Sequence, residues 1–234
     1  MPLPPAVSAL VTERLDAVDA ALPGFVTALW VTGSAASGDW RPDRSDVDFV
    51  AATDRVPTLA DLEAAEQPAA HVTNGEFGTG PCGQCTPAAW LELRQDGVAV
   101  RGPAPAELVP APEPAALRSW LLGNLRGYWS DTAGHAERVG TERPATAPVD
   151  GYPVVWMVLG APRLHATLTT GRIVSKTAAG AYAAERFPDH AELAGRCVRW
   201  RAGEPEEFTM ADGLRAAALI RAVVSTAETA AQAR

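Results

Sequence analysis

Residues 28–51 read ALWVTGSAASGDWRPDRSDVDFVA, and the fold turns on them. An apolar run, Ala28 to Val31, enters Gly33-Ser34; a polar loop follows, and the chain returns as Asp46-Val47-Asp48-Phe49-Val50. Successive side chains of a strand alternate between its faces. Both aspartates are therefore expected on one face of a strand over 46–52, with Val47 and Phe49 directed into the core. A D-x-D pair alone also fits a solvated strand edge. Beside a glycine-serine turn it makes a donor set for a hard divalent cation, which takes oxygen ligands and leaves positions open for substrate phosphates. Glycine permits close approach of the backbone, and successive amides with a serine hydroxyl can cradle phosphate oxygens. The combination points to phosphoryl or nucleotidyl transfer, with Asp46 and Asp48 as magnesium ligands and Gly33 and Ser34 on the phosphates. Asp39 and Asp43 read as turn residues of the loop.

Bulk properties narrow the class. A chain of 234 residues, 47% apolar and 21% charged, suits a globular protein of one ordinary domain or two small ones. A formal net charge of -8 argues against a nucleic-acid binder, which needs a basic footprint to displace counterions. It suits a small cationic substrate better. No apolar run approaches the roughly 20 residues of a membrane span. The opening MPLPPAVSALVTERLD turns polar too early for a signal peptide, so a cytoplasmic protein is expected. Three cysteines build no disulfide framework. Cys82 and Cys85 have the spacing of a metal or redox pair, but Gly80-Pro81 and Thr86-Pro87 around them read as a loop, and incidental loop cysteines are expected.

Periodicity sets out the elements. Leu10, Val11, Leu15, Val18 and Leu22 recur at helical spacing over 8–22, with Pro23-Gly24 as a stop. Strands are expected over 25–32 and 46–52, a short helix over 61–67, a strand over 69–77, a helix over 87–95 and a strand over 97–101. The proline- and alanine-rich stretch 103–114 reads as an extended connection, which divides the chain into domains 1–109 and 110–234. The second is expected to be a helical bundle, with helices over 115–129, 154–169, 176–185 and 211–231. Gly160 and Pro162 are expected to kink or interrupt the helix over 154–169. His165 on that apolar helix reads as a structural histidine.

The pattern apolar-Gly-Ser, loop, Asp-apolar-Asp-apolar resembles the signature of the DNA polymerase β-like nucleotidyltransferase superfamily. Within it, GVAVRGPAPAEL at 97–108, WMVLGAPRLHATLTTGRIVSKTAAGAY at 156–182 and the following AAERFP resemble the aminoglycoside (streptomycin/spectinomycin) adenylyltransferases. The resemblance implies an α+β protein, an N-terminal nucleotidyltransferase domain with a short mixed sheet followed by a C-terminal helical bundle. It implies transfer of AMP from ATP, with Mg2+, to a hydroxyl of an aminoglycoside-like small molecule, an antibiotic-resistance activity. It places Arg163 and Lys176 on the nucleotide phosphates, one a planar fork and the other a mobile point charge. Asp150 and Trp156 are candidates to meet a cationic sugar by charge pairing and cation–π contact. The superfamily also carries a third carboxylate, as metal ligand or general base. Glu76 is the candidate here, Glu63 and Glu66 the alternatives in the same short interval after Asp48. A second reading stays open: a relative that keeps the fold and binds a small molecule or partner without nucleotidyl transfer.

Overall fold

The structure, a computed structural model, describes residues 2–56, 71–73, 76–78 and 85–232, with backbone alone at 71–73, 76–78 and 230–232. Its internal contacts divide it into two compact units, Met1–Pro112 and Glu113–Arg234.

The N-terminal unit begins with α1, Pro5–Ala21, which buries Val7, Val11, Leu15 and Val18 along one face. Pro5 falls in the first turn, where the missing N–H costs nothing. Then come β1, Val26–Thr32, and a five-residue helix α2, Gly33–Ser37. The chain returns as β2, Asp48–Thr53. A hairpin of β3, His71–Thr73, and β4, Glu76–Gly78, forms a separate two-stranded sheet. After it come α3, Pro87–Asp96, β5, Val98–Arg101, and α4, Pro105–Leu108. Thr86 caps α3 by accepting from the Ala89 amide at 3.1 Å.

The main sheet has the order β2-β1-β5, with both pairings antiparallel. The mixed sheet expected from the sequence is thus corrected: β1 lies at the centre and both neighbours run against it. Period-two alternation gives the sheet two apolar faces. Leu29 and Val31 join Val7, Val11, Leu15 and Val18 of α1 on one, while Ala28 and Trp30 join Leu93 of α3 and Val109 on the other. The Trp30 indole is buried and donates to the Pro103 carbonyl at 2.8 Å.

Three sequence expectations change in this unit. The second strand starts at Asp48, so Asp46 precedes it and does not share its alternation. Val47 packs half-buried against the α1 cluster, but Phe49 is 47% exposed, because β2 is the sheet's edge among the described residues. Within 69–77 the described residues form two antiparallel strands, 71–73 and 76–78, rather than one, and the sequence between them is Asn74-Gly75. The expected helix over 61–67 lies outside the described residues.

The C-terminal unit is helical. It comprises α5, Pro114–Asn124, a π-helical turn at Leu125–Trp129, α6, Ser130–Glu142, and α7, Gly151–Thr170. The remainder is α8, Lys176–Arg186, a 3-10 turn at Pro188–His190, α9, Ala191–Arg201, and α10, Met210–Gln232. Short strands β6, Pro148–Val149, and β7, Phe208–Thr209, pair ahead of α7 and α10. The core joins Trp129, Val154, Val158, Leu159, Leu193, Leu219 and Ile220 from several of these helices. Arg196 ties α9 to α10: it donates to Asp212 at 2.9 Å and Glu206 at 3.1 Å while lying 5.0 Å over the Phe208 ring. The expected interruption near Gly160 and Pro162 does not occur, and α7 runs continuously through both. No helix among the described residues is long and apolar enough to cross a membrane.

Candidate functional site

The register of β1 against β2 builds the site. Thr32, the last residue of β1, pairs with Asp48, the first residue of β2. The turn that leaves one strand therefore begins beside the carboxylate that opens the other. Gly33 sits in that turn with φ of +64°, the left-handed region that disfavours any side chain. A Cβ added there would overlap the Asp48 carboxylate at Oδ2, so the carboxylate fills the space of the missing side chain.

Two buried hydroxyls flank this glycine. Neither Thr32 Oγ1 nor Ser34 Oγ has a hydrogen-bond partner among the described residues. Buried polar atoms are nearly always bonded, so a pair of orphans on one turn leaves hydrogen-bonding capacity that an acceptor could satisfy. Phosphate oxygens have that chemistry. Thr32 was not singled out by sequence, since a threonine ending an apolar strand reads as an ordinary strand former. Asp39 also differs from a surface turn residue: it is 4% exposed, its carboxylate lies 3.5 Å from Arg41 Nη2, and its amide donates to the Ser34 carbonyl at 3.0 Å.

Asp46 and Asp48 are both exposed and two residues apart in the chain, and Asp48 lies against Gly33. Two neighbouring carboxylates are a donor set that fits a hard cation, whose remaining ligands would be phosphate oxygens and water. Among the described residues, no group of three or more His, Cys, Asp or Glu is placed to hold a metal. Glu76 lies in β4, where its backbone pairs with Thr73; its side chain, Glu63, Glu66 and Cys82 lie outside what is described. Cys85 is exposed.

The remaining candidates gather on α7 and the start of α8. Arg163 is half-buried and its Nε donates to the Val174 carbonyl at 2.7 Å, which fixes the guanidinium plane. Lys176 opens α8, and its ammonium lies 4.9 Å over the ring of Trp156. Asp150 is exposed and caps α7, accepting from the Tyr152 amide at 2.7 Å. Trp156 donates from Nε1 to the Tyr128 hydroxyl at 2.9 Å and stacks with Tyr152 and Trp129. His165 is buried, with Nδ1 2.6 Å from the Tyr182 hydroxyl and Nε2 unpartnered among the described residues. Burial, with a smaller effect of Arg186, lowers its pKa from 6.5 to about 4 and keeps the ring neutral.

Residues 12–73, which span β1, the Gly-Ser turn and Asp48, match the family described as nucleotidyltransferase domain. The fold is similar to that of spectinomycin adenyltransferase AAD(9) from Enterococcus faecialis, solved with ATP and spectinomycin. The TM-score is 0.62 at 15% identity, over 92% of this chain and 99% of that one. No curated protein sequence matches the chain. Residues 12–73 are thus similar to a nucleotidyltransferase domain, and the α+β fold is similar to that of the solved adenyltransferase.

Proposed function

We propose that this chain transfers AMP from ATP to a hydroxyl of an aminoglycoside-like small molecule, with magnesium. The observation that carries the reading is the Thr32 to Asp48 register, which sets a carboxylate against a left-handed glycine between two unpartnered buried hydroxyls. The nucleotidyltransferase match covers the same residues. The neighbouring fold was solved with ATP and spectinomycin, which supports the nucleotide and the acceptor class.

In such a transfer the acceptor oxygen attacks the α-phosphorus, the bond to the β-phosphate oxygen breaks, and pyrophosphate leaves. Gly33 leaves room for the Asp48 carboxylate, the backbone amides of Gly33 and Ser34 are proposed to face the phosphates, and Ser34 to donate a hydrogen bond to them from its hydroxyl. Asp46 and Asp48 would hold a divalent cation, which lowers the cost of charge on the reacting oxygens. Arg163 and Lys176 are proposed to neutralise phosphate charge, and the exposed carboxylate of Asp150 to attract an ammonium of the acceptor. Glu76 is proposed to take the acceptor proton, a contribution of roughly 10²–10⁴-fold where a general base acts.

The test is pyrophosphate release on incubation with ATP, magnesium and a panel of aminoglycosides. Turnover that is lost in Asp48→Asn supports the proposal. Binding of nucleotide with no turnover on any acceptor supports instead a relative that keeps the fold without the transfer.

A further inference from the structure

Behind Asp150, the C-terminal unit holds a largely buried ionic cluster. Arg196 of α9 donates to Asp212 at 2.9 Å, to Glu206 at 3.1 Å and to the Glu207 carbonyl, and its guanidinium lies over the Phe208 ring. Asp212 is 5% exposed, and its Oδ2 accepts from the Thr209 amide at 3.0 Å, which closes the first turn of α10. Burying such charges seldom stabilises a fold more than apolar packing of the same volume, so stability alone does not account for the cluster. Its position in the chain does. Phe208 and Thr209 form β7, which pairs with Val149 and Pro148 of β6. The Met210 amide donates to the Ala147 carbonyl at 2.8 Å, and the Ala211 amide to the Ala145 carbonyl at 2.9 Å. The residue after β6 is Asp150, and Gly151 then packs against Trp200 of α9 and Phe208, which occupy the space its side chain would need.

A ladder of two residue pairs is too short to hold itself. Residues 141–146, which lead into β6, are exposed, and on that side Arg143 donates to the Pro148 carbonyl at 3.0 Å. The firmer support for β6 therefore comes from β7 and the α9 side chains behind it. We propose that Arg196 is a positioning residue for the acceptor: it fixes β7, β7 fixes β6, and β6 delivers the Asp150 carboxylate to the head of α7 in one orientation. The proposal rests on the transfer reading, in which Asp150 attracts an ammonium of the acceptor. A guanidinium suits the task because its planar fork meets two carboxylates, a carbonyl and a ring at once, which a lysine ammonium does not reproduce. Arg196 itself acts only through Asp150, so its loss should weaken the acceptor and leave the nucleotide and the chemical step alone.

Steady-state pyrophosphate release by the full-length protein, with aminoglycoside and ATP varied in turn, tests the assignment. Arg196→Lys should raise the KM of the aminoglycoside about tenfold, with kcat and the KM of ATP within about twofold of the wild type. A smaller folded fraction alone would instead lower kcat at constant KM. Gly151→Ala sets a methyl against Trp200 and Phe208 with Arg196 intact; it should give the same split, and it decides the matter if Arg196→Lys does not fold. In an Asp150→Asn background, where asparagine still caps the helix, Arg196→Lys should add nothing further. An unchanged acceptor KM in folded Arg196→Lys overturns the assignment, as does an undiminished effect in the Asp150→Asn background. A wild type that releases no pyrophosphate with any aminoglycoside overturns the transfer reading itself. Hydrogen exchange at the Tyr152 amide, which donates to Asp150, reads the positioning separately: faster exchange in Arg196→Lys supports it, and unchanged exchange overturns it.

Discussion

Gly33 is constrained twice, by a φ of +64° and by the Asp48 carboxylate in the place of its side chain. Gly33→Ala should therefore cost about 2 kcal/mol in denaturant unfolding, from left-handed strain and displacement of the carboxylate. An unchanged midpoint would contradict that geometry. Ser34→Ala should act in the opposite sense on stability. Removing an unpartnered buried hydroxyl should leave stability unchanged or slightly raised, while ATP affinity falls about tenfold with the loss of a charge-assisted hydrogen bond. A variant that loses stability and retains affinity would assign the hydroxyl to the fold. His165 gives a pH dependence whose sign is fixed. Its folded pKa of about 4 lies below the unfolded value near 6.5, so below pH 6.5 the unfolded chain binds the proton more readily. Stability is whole above pH 6.5, falls by at most about 1.4 kcal/mol per unit as pH drops towards 4, and levels below it. His165→Phe should flatten that slope relative to the wild type. Equal slopes would show that the histidine titrates alike in both states. At this scale the sequence singles out Gly33, Ser34, Asp46 and Asp48 as candidates, because few structural needs place them together. Thr32 is not among them, since burial without a partner is a property of the fold.

Elements follow from small residues as much as from large ones. Gly160 lies in α7 with Trp129 where a Cβ would go, so Gly160→Ala gains helix propensity but forces the indole aside. Overpacking of this kind costs about 1–3 kcal/mol, and a lowered melting temperature is the expected result. A raised one would mean that the Trp129 stack yields without penalty. Such positions also explain what could not be read in advance. The sequence carries no clear helical period over α6 and α9, because their buried positions include Ala133 and Ala194, too small to print one. Pro162 lies buried in the middle of α7 without ending it, and tertiary packing outweighs its local penalty. The strand pair at Thr32 and Asp48, by contrast, was visible as alternation, though the pairing starts two residues later than the pattern implied.

Across the molecule, each unit has its own apolar core. That of residues 113–234 draws on α6, α7, α8, α9 and α10, so a fragment of those residues should unfold cooperatively as a helical protein. A fragment with helical signal but no cooperative transition would show that this core needs the rest of the chain. The α+β class is legible in the change of period after the proline-rich connection. The antiparallel sheet was not, because strand direction is set by connections that composition does not encode. The proposed chemistry stands or falls on the turn at Gly33 and Ser34 and the two aspartates that follow it. Pyrophosphate release from ATP and magnesium with an aminoglycoside panel, in wild type and in Asp48→Asn, measures it directly. Acceptor-dependent release by the wild type, reduced at least 100-fold in the variant, is the result expected where a metal-binding carboxylate stabilises transition-state charge. Release that persists undiminished in Asp48→Asn would contradict it.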